Sequence, residues 1–278
     1  MMRILAVLLV VCLTASLTAQ TFERPIKRRP PLASETKADW FPVESQAPKE
    51  GWGMVSGRII WEGELPDAKT HAIARDQTAF GVRLPDESLL VNKENRGIAN
   101  VLVIATTRSD RVHESFAKIA DKPAVQFAKE GQFLPRVVIL QPGQLLQFSN
   151  LHPVPTNYRI DPLKNEPTNR LVPPGTMIEW QPKEEEPAFI MTQSNVHPWQ
   201  QGWLWIRKSP YVTVTQGDGS FKIANLPAGD VLLTGFHEKT GWREIRVRSK
   251  GEESRWGKVV DGEELKLEAV WPAEYFRE

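Results

Sequence analysis

The chain has 278 residues, of which 25% are charged and 41% hydrophobic, with a formal charge of +1, 22 prolines and one cysteine. So even a charge balance gives no electrostatic footprint for nucleic acid, and a lone thiol excludes an internal disulfide framework. Beyond the N-terminus no apolar run approaches the ~20 residues that span a bilayer, so no transmembrane segment is expected.

In chain order, Arg3 precedes the apolar run 4–13, and small or polar residues follow to Ala19. That pattern predicts a secretory signal peptide over 1–19, cut after Ala19, and hence export to the periplasm, the cell surface or the medium. Cys12 lies inside it, so the mature chain carries no thiol, and loss of Arg3 leaves it formally neutral. Residues 20–50 carry Arg24, Lys27, Arg28 and Arg29 among Pro25, Pro30 and Pro31. This is read as a solvated Pro-rich linker, against the alternative of a wall- or membrane-surface contact.

From Gly51 the chain turns to short apolar runs separated by turn residues. Strands are predicted at 54–61, 101–105, 137–140, 145–148, 177–180, 188–191, 202–206, 211–215, 220–223, 230–236, 244–247 and 265–270. Pro142-Gly143, Pro174-Gly175, Asp218-Gly219 and Ala228-Gly229 mark turns between them. Val112, Phe116 and Ile119 recur at helical spacing and predict one short helix over 112–120. Many strands without regular helix alternation predict an all-β chain of antiparallel sandwiches.

Chemistry concentrates in Gln193-Ser194-Asn195-Val196-His197-Pro198-Trp199-Gln200, with Phe148-Ser149-Asn150 and Asn157 before it. These segments resemble the exported cupredoxin-like proteins of the methylamine-utilisation type found in planctomycete-like bacteria. The resemblance continues through 89–103 and 210–238. It implies a cupredoxin-like Greek-key β-sandwich over 51–208, followed by a small carboxypeptidase-regulatory-like β-sandwich over 209–278. It also places a blue-copper ligand set at Thr156, Ser194, His197 and Gln200.

Such a centre needs two imidazoles, a thiolate and a weak axial ligand. Gln200 is acceptable as the axial group, but Ser194 does not ionise as a bound thiol does, and Thr156 replaces an imidazole. Phe80 and Gly131 stand where the resembling proteins tend to have cysteines, and Arg136 where they carry histidine. The copper and sulfur features are therefore missing together, and no cofactor is expected.

His197 is read as hydrogen-bonding within its loop; the sharper alternative pairs it with His152 in a weak, non-blue metal site. His71 and His113 are expected in solvent, and His237-Glu238 at a hydrogen-bonded corner. Trp203 and Trp205 share a strand face and are expected in the core, with Trp199 as the candidate surface contact. Glu184 to Glu186 reads as a solvated acidic run, and Gln216 to Ser220 as a hairpin. Catalytic motifs are absent from the sequence, so no enzyme is expected. The resulting expectation is a non-enzymatic exported binding or structural module with a degenerate copper site. Its partner is an unidentified envelope protein or glycan. The alternatives are copper binding with electron transfer, and carbohydrate binding by the C-terminal sandwich.

Overall fold

The computed structural model describes residues 50–249 and 252–276. The expected signal segment and, apart from Glu50, the expected linker lie outside them. The described chain is all-β, and its alternating apolar residues stack four sheets over three apolar seams.

The first sheet has three strands in the order Ser220–Pro227, Trp52–Glu62, Glu264–Pro272. The second contains Val212–Val214, Leu102–Thr107, Gly229–His237 and Gly241–Ile245, with Trp256–Val259 also on Gly229–His237. The third runs Thr168–Val172, Thr156–Ile160, Ile190–Gln193, Gln201–Ile206, Val137–Leu140. The fourth runs Met177–Trp180, Leu146–Asn150, Ala124–Lys129, Gln132–Leu134.

Period-two alternation explains the layering, because neighbouring residues of one strand face opposite sides. Val103 and Ala105 face Val55, Ile59 and Trp61 of the first sheet. Leu102 and Ile104, on the other side of the same strand, join the middle seam with Val137, Ile139, Trp203 and Trp205 of the third sheet. Leu204 and Ile206 then face Leu146 and Phe148 of the fourth. Trp203 and Trp205 are thus core residues, as expected, but of the seam between two sandwiches.

The strand pairing departs from the expected boundary at 208/209. Trp52–Glu62 runs parallel to Glu264–Pro272 over nine residue pairs and antiparallel to Ser220–Pro227. Leu102–Thr107 pairs with Val212–Val214 and Gly229–His237. Strands between 124 and 206 pair only among themselves. One sandwich is therefore inserted within the other. The physical reason is that the facing sheet over the inward face of Trp52–Glu62 is built from Leu102–Thr107 together with strands beyond residue 211, so its two parts flank the 124–206 segment.

The helix expected over 112–120 is replaced by two single 3-10 turns, Glu114–Phe116 and Ile119–Asp121. His113 Nδ1 accepts from Ser115 N at 3.1 Å and Phe116 packs edge-on against Tyr211, which fixes the first turn. Lys122 is extended ahead of Pro123, as a residue before proline prefers, so no helix propagates. The solvated reading of 184–186 is also corrected at Glu186. Its carboxylate is fully buried and accepts from the backbone N–H groups of Leu163, Lys164 and Asn165 at 2.8–3.1 Å, and from Asn165 Nδ2 at 2.7 Å.

Between Glu62 and Leu102 a strap crosses toward the inserted sandwich. It holds the hairpin Thr70–Ala72 with Arg83–Pro85 and the helical turn Gln77–Phe80. His71 of this hairpin is paired with Asp86 at 3.4 Å, so it is not simply solvated.

Candidate functional site

Two loops at one end of the inserted sandwich bring the four carried-over positions together. Thr156 begins the strand Thr156–Ile160, while Ser194, His197 and Gln200 lie in the turn between Ile190–Gln193 and Gln201–Ile206. That turn is closed by Ser194 N donating to Gln200 O at 3.1 Å and Gln200 N donating to His197 O at 2.8 Å. Asn157 holds its tip: Oδ1 accepts from Ser194 Oγ at 2.9 Å, Asn195 N at 2.7 Å and Val196 N at 3.0 Å.

Within this frame Thr156 Oγ1 lies 3.1 Å from Ser194 Oγ, 3.3 Å from His197 Nδ1, and donates to Gln200 Oε1 at 2.7 Å. Ser194 Oγ also accepts from His197 N at 3.0 Å. Thr156, His197 and Gln200 are completely buried and Ser194 nearly so. Buried polar groups need partners, and each of the four has one: Thr156 donates to Gln200, Ser194 to Asn157, and His197 Nε2 lies against Asp76.

The outer edge of His197 is closed by the strap. Asp76 Oδ2 lies 2.8 Å from Nε2. Nε2–H can donate to this carboxylate, and the one Thr156 hydroxyl proton, with Gln200 Oε1 at 2.7 Å and His197 Nδ1 at 3.3 Å as alternative acceptors, lies nearer Gln200. The hydroxyl is sealed from solvent and its proton is directed to Gln200, so no nucleophilic step is assigned to it.

Phe80 packs edge-on against His152, His197 and Trp199 at centroid distances of 4.8, 5.0 and 6.0 Å. Gly131, with φ +79°, donates its N–H to His152 Nε2 at 3.0 Å, and the Gln200 amide lies 3.4 Å from His152 Nδ1. All ring nitrogens of both histidines therefore face protein groups. Burial, opposed by a backbone hydrogen bond and reinforced by His197, holds the His152 pKa down at about 4. Phe80 and Gly131, the two positions tied to cysteines by resemblance, do meet at His152. A Cβ at Gly131 would lie 2.4 Å from Leu84 Cδ1, so a cysteine there conflicts with the strap as it is packed.

The four side chains differ from a blue-copper donor set: the position of the thiolate carries a hydroxyl bonded to Asn157, the position of one imidazole carries a second hydroxyl, and His197 supplies the one imidazole among the four. Among the described residues no group of three or more His, Cys, Asp or Glu could hold a metal ion.

Trp199, expected at the surface, is part-buried beside His197, and its Nε1 has no acceptor among the described residues. Arg136 is buried and makes a bidentate pair with Glu238, Nη2 to Oε2 at 2.9 Å. This pins the inserted sandwich to the hairpin turn that carries His237. His237 is buried too, and burial, then Arg136, then Lys239, hold its pKa down at about 3. No local signal in the sequence identifies Asp76 as the partner of His197, 121 residues away. The Arg136–Glu238 pair spans 102 residues and is equally silent.

Neither protein-family models nor curated proteins match the chain. Among solved structures it is similar in part to a purple cupredoxin from Nitrosopumilus maritimus, with 18% identity and a TM-score of 0.26 over 30% of this chain and 98% of that one. A reduced-state amicyanin mutant shows 14% identity and a TM-score of 0.28 over 37% of this chain and 98% of that one. A copper-containing nitrite reductase from Thermus scotoductus shows 11% and 0.29, over 37% of this chain and 25% of that one. At these scores the sandwich assignment stands on the strand pairing alone. Among the described residues no helix is long and apolar enough to cross a membrane.

Proposed function

We propose that the protein is a non-enzymatic, exported binding or structural module of the periplasm or cell surface. In this reading a cupredoxin-like sandwich, its copper positions replaced by a hydrogen-bonded plug, is inserted in a carboxypeptidase-regulatory-like sandwich. The observation that supports it is the buried polar cluster of Thr156, Ser194, His197 and Gln200, with Asp76 at its edge. A satisfied buried network rigidifies a fold and leaves no open coordination position. The partner is then an envelope protein or glycan, met on a surface away from the plug.

Copper titration of the mature protein, followed by visible absorption and bound metal, tests the reading, with His197→Ala as the control. The expected result is no intense thiolate-type absorption and no tight stoichiometric copper. One tightly bound copper, lost in His197→Ala, would overturn it and favour electron transfer.

A further inference from the structure

Trp52–Glu62 lies between two partners, antiparallel to Ser220–Pro227 and parallel to Glu264–Pro272. The parallel ladder runs unbroken from Met54 opposite Glu264 to Glu62 opposite Pro272, a length of ~26 Å at ~3.3 Å per residue. The described chain enters the sandwich at one end of this ladder and leaves it at the other. Tension between those two points therefore acts along the strands and pulls them past each other in opposite directions.

Under such a load the evenly spaced bonds of a parallel ladder share the force, whereas strands pulled apart from one end lose their bonds one at a time. Side chains resist the slide as well. Val55, Ile59 and Trp61 of one strand and Ala269 and Trp271 of the other are buried in one seam. Trp271 is seated over Gly235, where an added Cβ would lie 2.7 Å from the indole, so sliding must unseat a buried ring. Beyond the ladder, Phe276 packs on Trp61 at 4.7 Å and Tyr275 lies under the Arg243 guanidinium, which fastens the exit end. The inserted sandwich leaves and rejoins the chain between the two paired strands, so the load passes it by.

We propose that this ladder is a mechanical clamp, through which the protein holds tension between the segment before Trp52 and the segment after Pro272 while the inserted sandwich stays unloaded. This adds a load-bearing role to the structural-module reading. It follows from strand order and register and is independent of the plug.

The test is single-molecule pulling of the mature protein through handles on introduced cysteines at Glu50, Glu62 and Glu274, all of which are exposed. Glu50→Cys/Glu274→Cys loads the ladder along its length, and Glu62→Cys/Glu274→Cys opens it pair by pair from the Pro272 end. At one pulling speed the first geometry needs at least about twice the unfolding force of the second, because forced unfolding follows the unfolding barrier and not the equilibrium stability. Both variants keep the parent's thermal midpoint, and in the first geometry no release of the inserted sandwich precedes rupture of the ladder. Equal forces in the two geometries, or a first event that releases the inserted sandwich alone, would overturn the assignment. The copper titration reports on the other sandwich, so a copper-binding result removes the plug reading and leaves the clamp result standing.

Discussion

Asn157 is the residue on which the plug depends most. Three donors converge on its Oδ1, from Ser194 Oγ, Asn195 N and Val196 N, and its Nδ2 donates to Asn169 Oδ1 at 2.7 Å. Asn157→Ala removes all four bonds and leaves the Ser194 hydroxyl and two loop amides to find other partners. A net value of roughly 1 kcal/mol for each of the three loop bonds gives a loss of about 2–3 kcal/mol. For a chain of this size that is a fall of about 5–10 °C in thermal midpoint. Asn169 is exposed, so Asn169→Ala, which breaks only the fourth bond, should cost less than about 1 kcal/mol. Urea unfolding followed by tryptophan fluorescence and circular dichroism measures both variants, with an unchanged slope confirming that stability alone has moved. Equal losses for the two variants, or a loss below about 1 kcal/mol for Asn157→Ala, would show that the loop holds its shape without this side chain.

Arg136→Met leaves the Glu238 carboxylate nearly buried and unpaired, and should cost about 3–5 kcal/mol, while Arg136→Met/Glu238→Leu recovers most of it. A double-mutant cycle by denaturant titration reads this directly, and additive losses would refute the pairing. His237 is depressed to about 3 in the folded chain against about 6.5 when unfolded. The unfolded state therefore binds the proton more readily. Stability from the neutral ring is complete above pH ~6.5 and is lost as pH falls toward 3. His237→Asn should flatten the stability profile over that window, measured by thermal midpoint against pH; an unchanged slope would refute the assignment. Finally, Thr156→His/Ser194→Cys supplies the missing imidazole and thiolate beside His197 Nδ1 and should bind copper with strong visible absorption. A folded double variant that binds none would show that the four positions do not converge as a ligand set.

Much of the fold was legible because burial imposes period two on a strand. The alternation of Val55, Ile59 and Trp61 marked one buried face, and Trp203 with Trp205 another. The Ser194 to Gln200 loop was legible as well. Its polar residue types marked it as the chemically dense segment, and resemblance placed Thr156 in the same cluster, where the hydrogen bonds put it. The acidic run at 184–186 misled because charge in a sequence says nothing of the backbone N–H groups that fold around Glu186.

By itself, then, the sequence determined strand content, the identity of the plug's four side chains and that Cys12 is the one thiol of the chain. Tertiary structure alone decided which strands pair, that one sandwich is inserted within the other, and that Asp76 and Phe80 of the strap cover His197. The reason is physical. Alternation reports that a face is buried, since that depends on each residue's own free energy of transfer. Which distant face buries it depends on shape, register and charge complementarity between segments more than a hundred residues apart, and those are properties of the assembled chain.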